Sequence, residues 1–342
     1  MSGSGHPDQM EPGAEPLAGD PGRPTRVAVL LMAYGGPDSL DDLPAYLLDV
    51  RGGRPLSEGL LEEMTERYRA IGGRSPILEL TRAQAAGVER ELNDDAARLV
   101  GVEFRTYVGM RHWHPYIREV IAQLLADGAE QLVTVVMAPH YSRMSVGAYL
   151  QRVDEALNAQ GANLPVLAVE SWKDQPAFVA AVAGRVEEAL ARFPEEERAG
   201  VTVIFTAHSL PERILEWHDP YPDELRTSVE AVVDRVRPFG WRFAFQSAGA
   251  TREPWLGPPL EATLEELAAG GTRNVLVVPI GFVCDHVEIL FDVDVEAREL
   301  AARLGMRLER TASLNDAPLL CRAVADAVRD RLGRALVATA SE

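Results

Sequence analysis

Residues 201–211 read VTVIFTAHSLP. From Val201 to Ala207 every side chain is apolar or β-branched, with no alternation between a wet and a dry face. That pattern belongs to a strand covered on both sides, as in a parallel sheet flanked by helices. The run stops at His208, Ser209 and Pro211, so the strand ends in a polar turn. The same grammar recurs in VAVLLMA (27–33), LVTVVMA (132–138) and NVLVVPI (274–280). Between such runs lie segments of helical period, among them HPYIREVIAQLLADG (114–128) and PAFVAAVAGRVEEALARF (176–193). The chain is therefore of the α/β class, built from βα units.

Eight strands are expected, starting near Val27, Val102, Leu132, Leu164, Val201, Arg242, Val275 and Met306. Their spacing is alike in the two halves except for the first interval, which is longer by about one βα unit. The expected organisation is two similar four-stranded parallel-sheet, Rossmann-like domains, residues 25–175 and 176–334, with a cleft between them. An insertion near 38–80 belongs to the first. Residues 1–24 hold five Gly, five Pro and Leu17 as their one large aliphatic side chain, and read as a disordered tail without a secretory signal.

Length and charge set limits. The chain has 342 residues with 34 Lys+Arg against 52 Asp+Glu, a formal charge of −18. Such acidity repels nucleic acid and anionic membranes, so neither is expected as a partner. No apolar run reaches the ~18 residues of a membrane span. Two cysteines, Cys284 and Cys321, exclude a disulfide framework and any site built on four thiolates, including a [2Fe–2S] cluster. A reduced cytoplasmic setting is expected, with both thiols acting as small buried hydrophobes.

Ligands of open parallel sheets sit beyond the carboxyl ends of the strands. Four of the seven histidines, His112, His140, His208 and His286, fall at or just after such ends. His208 there is a metal ligand, a proton acceptor, or a structural imidazole resting on a backbone carbonyl. Tyr34 precedes Gly35 and Gly36, whose lack of side chains would let a flat ligand approach the backbone; its phenol would donate, accept or coordinate. In GFVCDHVEILFDVDVEAREL (281–300), Glu288, Asp292 and Glu296 are spaced by four, which keeps them on one helical stripe. A π-type turn would align them more closely. With only Arg298 nearby to offset them, the stripe reads either as a solvated face or as a seat for a hydrated cation such as Mg²⁺ or incoming Fe²⁺. Residues 51–82, most of them in the insertion, carry six arginines against five glutamates and would hold an anionic ligand.

Taken together, MAYGGP (32–37), RYRAIGGRSP (67–76), TAHSLPERI (206–214), DPYPDEL (219–225), QSAGATREPWLGP (246–258) and GFVCDHVEILFDVDVEA (281–297) resemble the ferrochelatases, over nearly the whole span from Val27 to Leu332. The resemblance implies a chelatase-like, monomeric enzyme of haem biosynthesis that inserts Fe²⁺ into a porphyrin in the interdomain cleft. It implies His208 and Glu288 as the catalytic and metal-site pair, with Asp292 and Glu296 as an outer acidic relay. Tyr34 matches the residue that ligates product iron from the opposite face in the branch acting on coproporphyrin III, which the protoporphyrin IX branch usually lacks. Arg51, Arg67, Tyr68, Ser75, His112 and Tyr149 are expected against the macrocycle or its propionates. Coproporphyrin III and Fe²⁺ are then the expected substrates, with transient contact to the next haem-pathway enzyme. Protoporphyrin IX stays open as the alternative substrate. A non-catalytic haem or metal carrier is disfavoured by the outward acidic stripe.

Overall fold

The computed structural model describes residues 23–94, 101–236, 240–249, 251 and 253–339, with side chains described as far as Ala335. The expected tail therefore lies, apart from Arg23 and Pro24, outside the described residues, as do two positions of the QSAGATREPWLGP motif.

All eight strands form: β1 (Thr25–Ala33), β2 (Val102–Met110), β3 (Gln131–Val136), β4 (Val166–Val169), β5 (Thr202–His208), β6 (Gly240–Gln246), β7 (Asn274–Val278) and β8 (Arg307–Arg310). They make two four-stranded sheets in the orders β2-β1-β3-β4 and β6-β5-β7-β8, every pairing parallel. The orders match position for position, so β1 and β5 are counterparts, as are β2 and β6. β3 is buried along its whole length, and β1 and β5 nearly so, as strands covered by helices on both faces must be.

The two sheets share apolar packing. One cluster of buried side chains runs from Val27, Val29 and Val133 through Phe178 and Val186 to Phe205, Leu276 and Leu320. The helix Pro318–Thr339, last in the chain, packs on the helices Ile77–Asn93 and Pro176–Leu190 and against β4, tying the end of the chain to the first sheet. The insertion folds as the helices Leu43–Val50 and Glu58–Ala70 around Leu43, Tyr46, Leu47, Tyr68 and Trp113. Val287 of the second half packs against that small core, so the insertion reaches across the cleft. No helix among the described residues is long and apolar enough to cross a membrane.

Candidate active site

A cavity of about 420 Å³ opens between the carboxyl edges of the two sheets. Its walls carry Tyr34 and Arg111 from the ends of β1 and β2, and His208 from the end of β5. His140 comes from the turn after β3, and Cys284, His286 and Glu288 from the segment after β7. Met32, Ile77, Val136, Met137 and Val283 make it largely apolar, as a pocket for a flat aromatic ligand should be.

His208 closes β5, its backbone carbonyl fixed by the Tyr221 hydroxyl at 3.0 Å. Its Nδ1 lies in a short contact with the Ser209 carbonyl, which can only accept, so Nδ1 donates there and Nε2 is the nitrogen left to the cavity. That Nε2 is 3.6 Å from Glu288 Oε1, with both side chains about one-third exposed. On the other side of Glu288, His286 Nε2 stands 3.8 Å from Oε2, too far for a hydrogen bond, while its Nδ1 donates to the Cys284 carbonyl at 3.0 Å. Glu288 Oε2 is buried and accepts no hydrogen bond. Burial pushes the Glu288 carboxyl up, but the charges of His208 and His286 outweigh it and leave the carboxyl below its ordinary value. Burial pushes His286 down, and the Glu288 carboxylate more than reverses this, so its imidazolium form is favoured.

The acidic stripe continues outward from Glu288 along a π-helix, Asp292–Ala297. Asp292 is pushed up to about 6, first by burial; the hydrogen bond from Ser247 opposes this and the charge of Glu288 adds to it. Ser247 follows β6 in a left-handed conformation, φ 57°, and donates its hydroxyl to Asp292 Oδ2 at 2.5 Å. The stripe's counter-charge is Arg67 of the insertion, not Arg298. Arg67 donates to Asp292 Oδ1 at 3.2 Å and to Glu296 Oε1 at 3.4 Å, whereas Arg298 reaches Asp294 at 3.5 Å. A guanidinium thus sits where a hydrated Mg²⁺ was one expectation, and among the described residues no three His, Cys, Asp or Glu are disposed to hold a metal ion.

The other expected residues divide. Tyr34, Tyr68, Ser75 and Tyr149 line the cavity; Arg51, Arg67 and His112 do not. His112 lies behind Tyr34, ring centroids 4.6 Å apart, and its Nδ1 is 2.8 Å from Asp49 Oδ1. It backs the phenol from within the fold, its ring being buried and absent from the cavity wall. The tyrosine's own hydroxyl is pushed up to about 12, by enclosure first and then by the charge of Glu288. Gly35 lines the cavity, and both Gly35 and Gly36 also make room for neighbouring protein. A Cβ on Gly35, at φ +94°, would meet the Trp113 backbone at 3.0 Å, and one on Gly36 would stand 2.4 Å from Ser75 Cβ. Sequence reasoning placed His286 at a strand end without pairing it with Glu288, and gave no part to Arg111, Arg213 and Glu253 on the cavity wall or to Ser247 on the stripe. His286, two positions before Glu288 at a helix start, was the one with a local signal.

Matching parallel sheets with a histidine–carboxylate pair in the cleft between their carboxyl edges define the chelatase class of α/β protein. SirB from Bacillus subtilis, solved with Fe³⁺, has this fold, with a TM-score of 0.57 at 11% identity over 91% of this chain and 97% of that one. The family model for ferrochelatase matches residues 26–332. The chain is 45% identical to the ferrochelatase of Herpetosiphon aurantiacus, over 86% of this chain and 95% of that relative. It is 36% identical to the coproporphyrin III ferrochelatase of Bacillus subtilis, over 90% and 99%. The chain belongs to the ferrochelatase family, and its reaction is insertion of ferrous iron into a porphyrin.

Proposed function

We propose that the porphyrin is coproporphyrin III and the product its iron complex. The observation that carries this reading is the placement of Tyr34 in the same cavity as His208 and Glu288, each side contributed by a different sheet. A phenol facing a histidine–carboxylate pair across a flat ring suits a product whose iron takes an oxygen ligand. The relatives named coproporphyrin III ferrochelatases, at 36% and 37% identity, support the same choice.

Metalation releases two pyrrole N–H protons for each Fe²⁺ that enters. With Nδ1 donating to the Ser209 carbonyl, the neutral tautomer of His208 presents its Nε2 lone pair to the cavity and accepts these protons one at a time. Glu288, whose carboxyl lies below its ordinary value, offers the incoming Fe²⁺ a carboxylate oxygen 3.6 Å from that nitrogen. Asp292, at about 6, exchanges protons readily near neutral pH and passes them outward toward Glu296, the pair steadied by Arg67. Tyr68, Ser75 and Tyr149 contact the macrocycle or its propionates from the first half.

The deciding assay supplies anaerobic Fe²⁺ with coproporphyrin III and protoporphyrin IX in parallel and follows each product's absorption. Faster metalation of coproporphyrin III is expected. Preference for protoporphyrin IX would overturn the substrate assignment and leave the family membership untouched.

A further inference from the structure

At the mouth of the cavity, on the wall made by the second half, stands a charge pair outside the machinery described so far. Arg213 Nη1 lies 3.2 Å from Glu253 Oε2, the two side chains being 50% and 32% exposed. Both residues line the cavity. Arg213 is on the 3₁₀ turn Glu212–Trp217, with its guanidinium 5.8 Å from the Trp217 ring centroid. The loop carrying Glu253 is bound to that turn by the backbone, Glu212 N–H donating to the Pro254 carbonyl at 2.9 Å. Within the loop, Trp255 Nε1 donates to Thr251 Oγ1 at 2.9 Å and Thr251 donates on to Glu253 Oε1 at 3.4 Å. The carboxylate is therefore delivered to the arginine by a built loop.

We propose that Arg213 is an anchor for a porphyrin carboxylate, and that Glu253 is the internal carboxylate with which the porphyrin competes for it. The inference rests on the reading of the substrate as a porphyrin with four carboxylates. A half-exposed ion pair contributes little to stability, so trading one carboxylate for another costs little. A guanidinium grips either carboxylate through the same planar fork. Arg111 is the one other arginine on the cavity wall among the described residues, and its guanidinium is turned over the Tyr149 ring, 5.4 Å from its centroid. Arg213 thus gives the second half a cation at the rim, on a chain that is strongly anionic overall. The exchange also makes Glu253 a brake on binding: it lowers the affinity for the free-base porphyrin and for the product alike.

The test is a double-mutant cycle on the full chain, read as coproporphyrin III affinity by fluorescence quenching, with thermal denaturation to confirm folding. Arg213→Met, which keeps the stem against Trp217, is expected to weaken binding about tenfold, the size of one charge-assisted hydrogen bond at a half-exposed site. Glu253→Gln is expected to tighten binding severalfold, and the double variant to bind like Arg213→Met alone. Weaker or unchanged binding in Glu253→Gln would mean a structural latch and overturns the proposal, and this holds even if Arg213→Met does not fold. Equal tightening by Glu253→Gln in both backgrounds would mean simple repulsion of an anion, and overturns it too. Binding by Arg213→Met within twofold of the parent does the same. The substrate assignment is judged separately, by which porphyrin the unmodified enzyme metalates faster.

Discussion

His208 has one nitrogen occupied by a backbone carbonyl and the other turned to the cavity, which makes it the first residue to alter. His208→Ala is expected to abolish metalation while porphyrin binding, followed by quenching, persists; retained turnover would remove His208 from the proton path. His140 offers a different measurement. It is buried, pushed down to about 3 by burial and then by the charge of Lys173. Ser228 gives its only proton to the Lys173 carbonyl at 2.7 Å, so His140 must donate to Ser228 through Nε2 at 2.8 Å. The unfolded imidazole takes a proton below its ordinary value of 6.5 and the folded one refuses it until about 3. Stability linked to His140 is therefore intact above 6.5 and lost as pH falls, by up to ~1.4 kcal/mol per pH unit. His140→Gln, which keeps a donor, is expected to flatten the dependence of the denaturation midpoint on pH between 7 and 5; an unchanged slope would contradict the burial argument.

At the scale of elements, the spacing of Glu288, Asp292 and Glu296 announces the stripe, and the π-helix that carries it was one of the geometries the spacing invited. Its neutralising cation was not legible. Arg67 lies 225 positions from Asp292, and no period or motif links a helix of the insertion to a π-turn of the other half. Local patterns record which face of an element is buried, whereas pairing between distant elements leaves no periodic trace. The second duty of the glycine pair after Tyr34 was hidden for the same reason, since the bodies they admit, Trp113 and Ser75, are distant in sequence. Arg67→Gln is expected to push the Asp292 carboxyl above about 6, because a cation holding it down is gone. The acidic limb of the pH–rate profile should then move upward, so that activity at pH 6.5 falls relative to pH 8. An unmoved limb would disconnect Asp292 from proton release.

At the scale of the molecule, the class, strand count and duplication could be read from apolar runs because strands covered on both faces leave an uninterrupted record. The shared core could not, since nothing in the periodicity says which of two sheets a helix covers. Phe178 is fully buried in that core, 5.3 Å from Trp172 between ring centroids. Phe178→Ala is expected to cost ~3–5 kcal/mol. Calorimetry should show a single transition moved to lower temperature, because the apolar cluster is continuous between the sheets. Two separated transitions would mean that the halves unfold independently.

Tyr34 and His208 leave counterpart strands, β1 and β5, of two different sheets. The gap between phenol and imidazole is consequently a property of how one sheet is tilted against the other, much as the opening of a pair of calipers depends on its pivot. Because the apolar cluster between the sheets is continuous, that opening is held by the packed core and not by the rotamers of the two side chains.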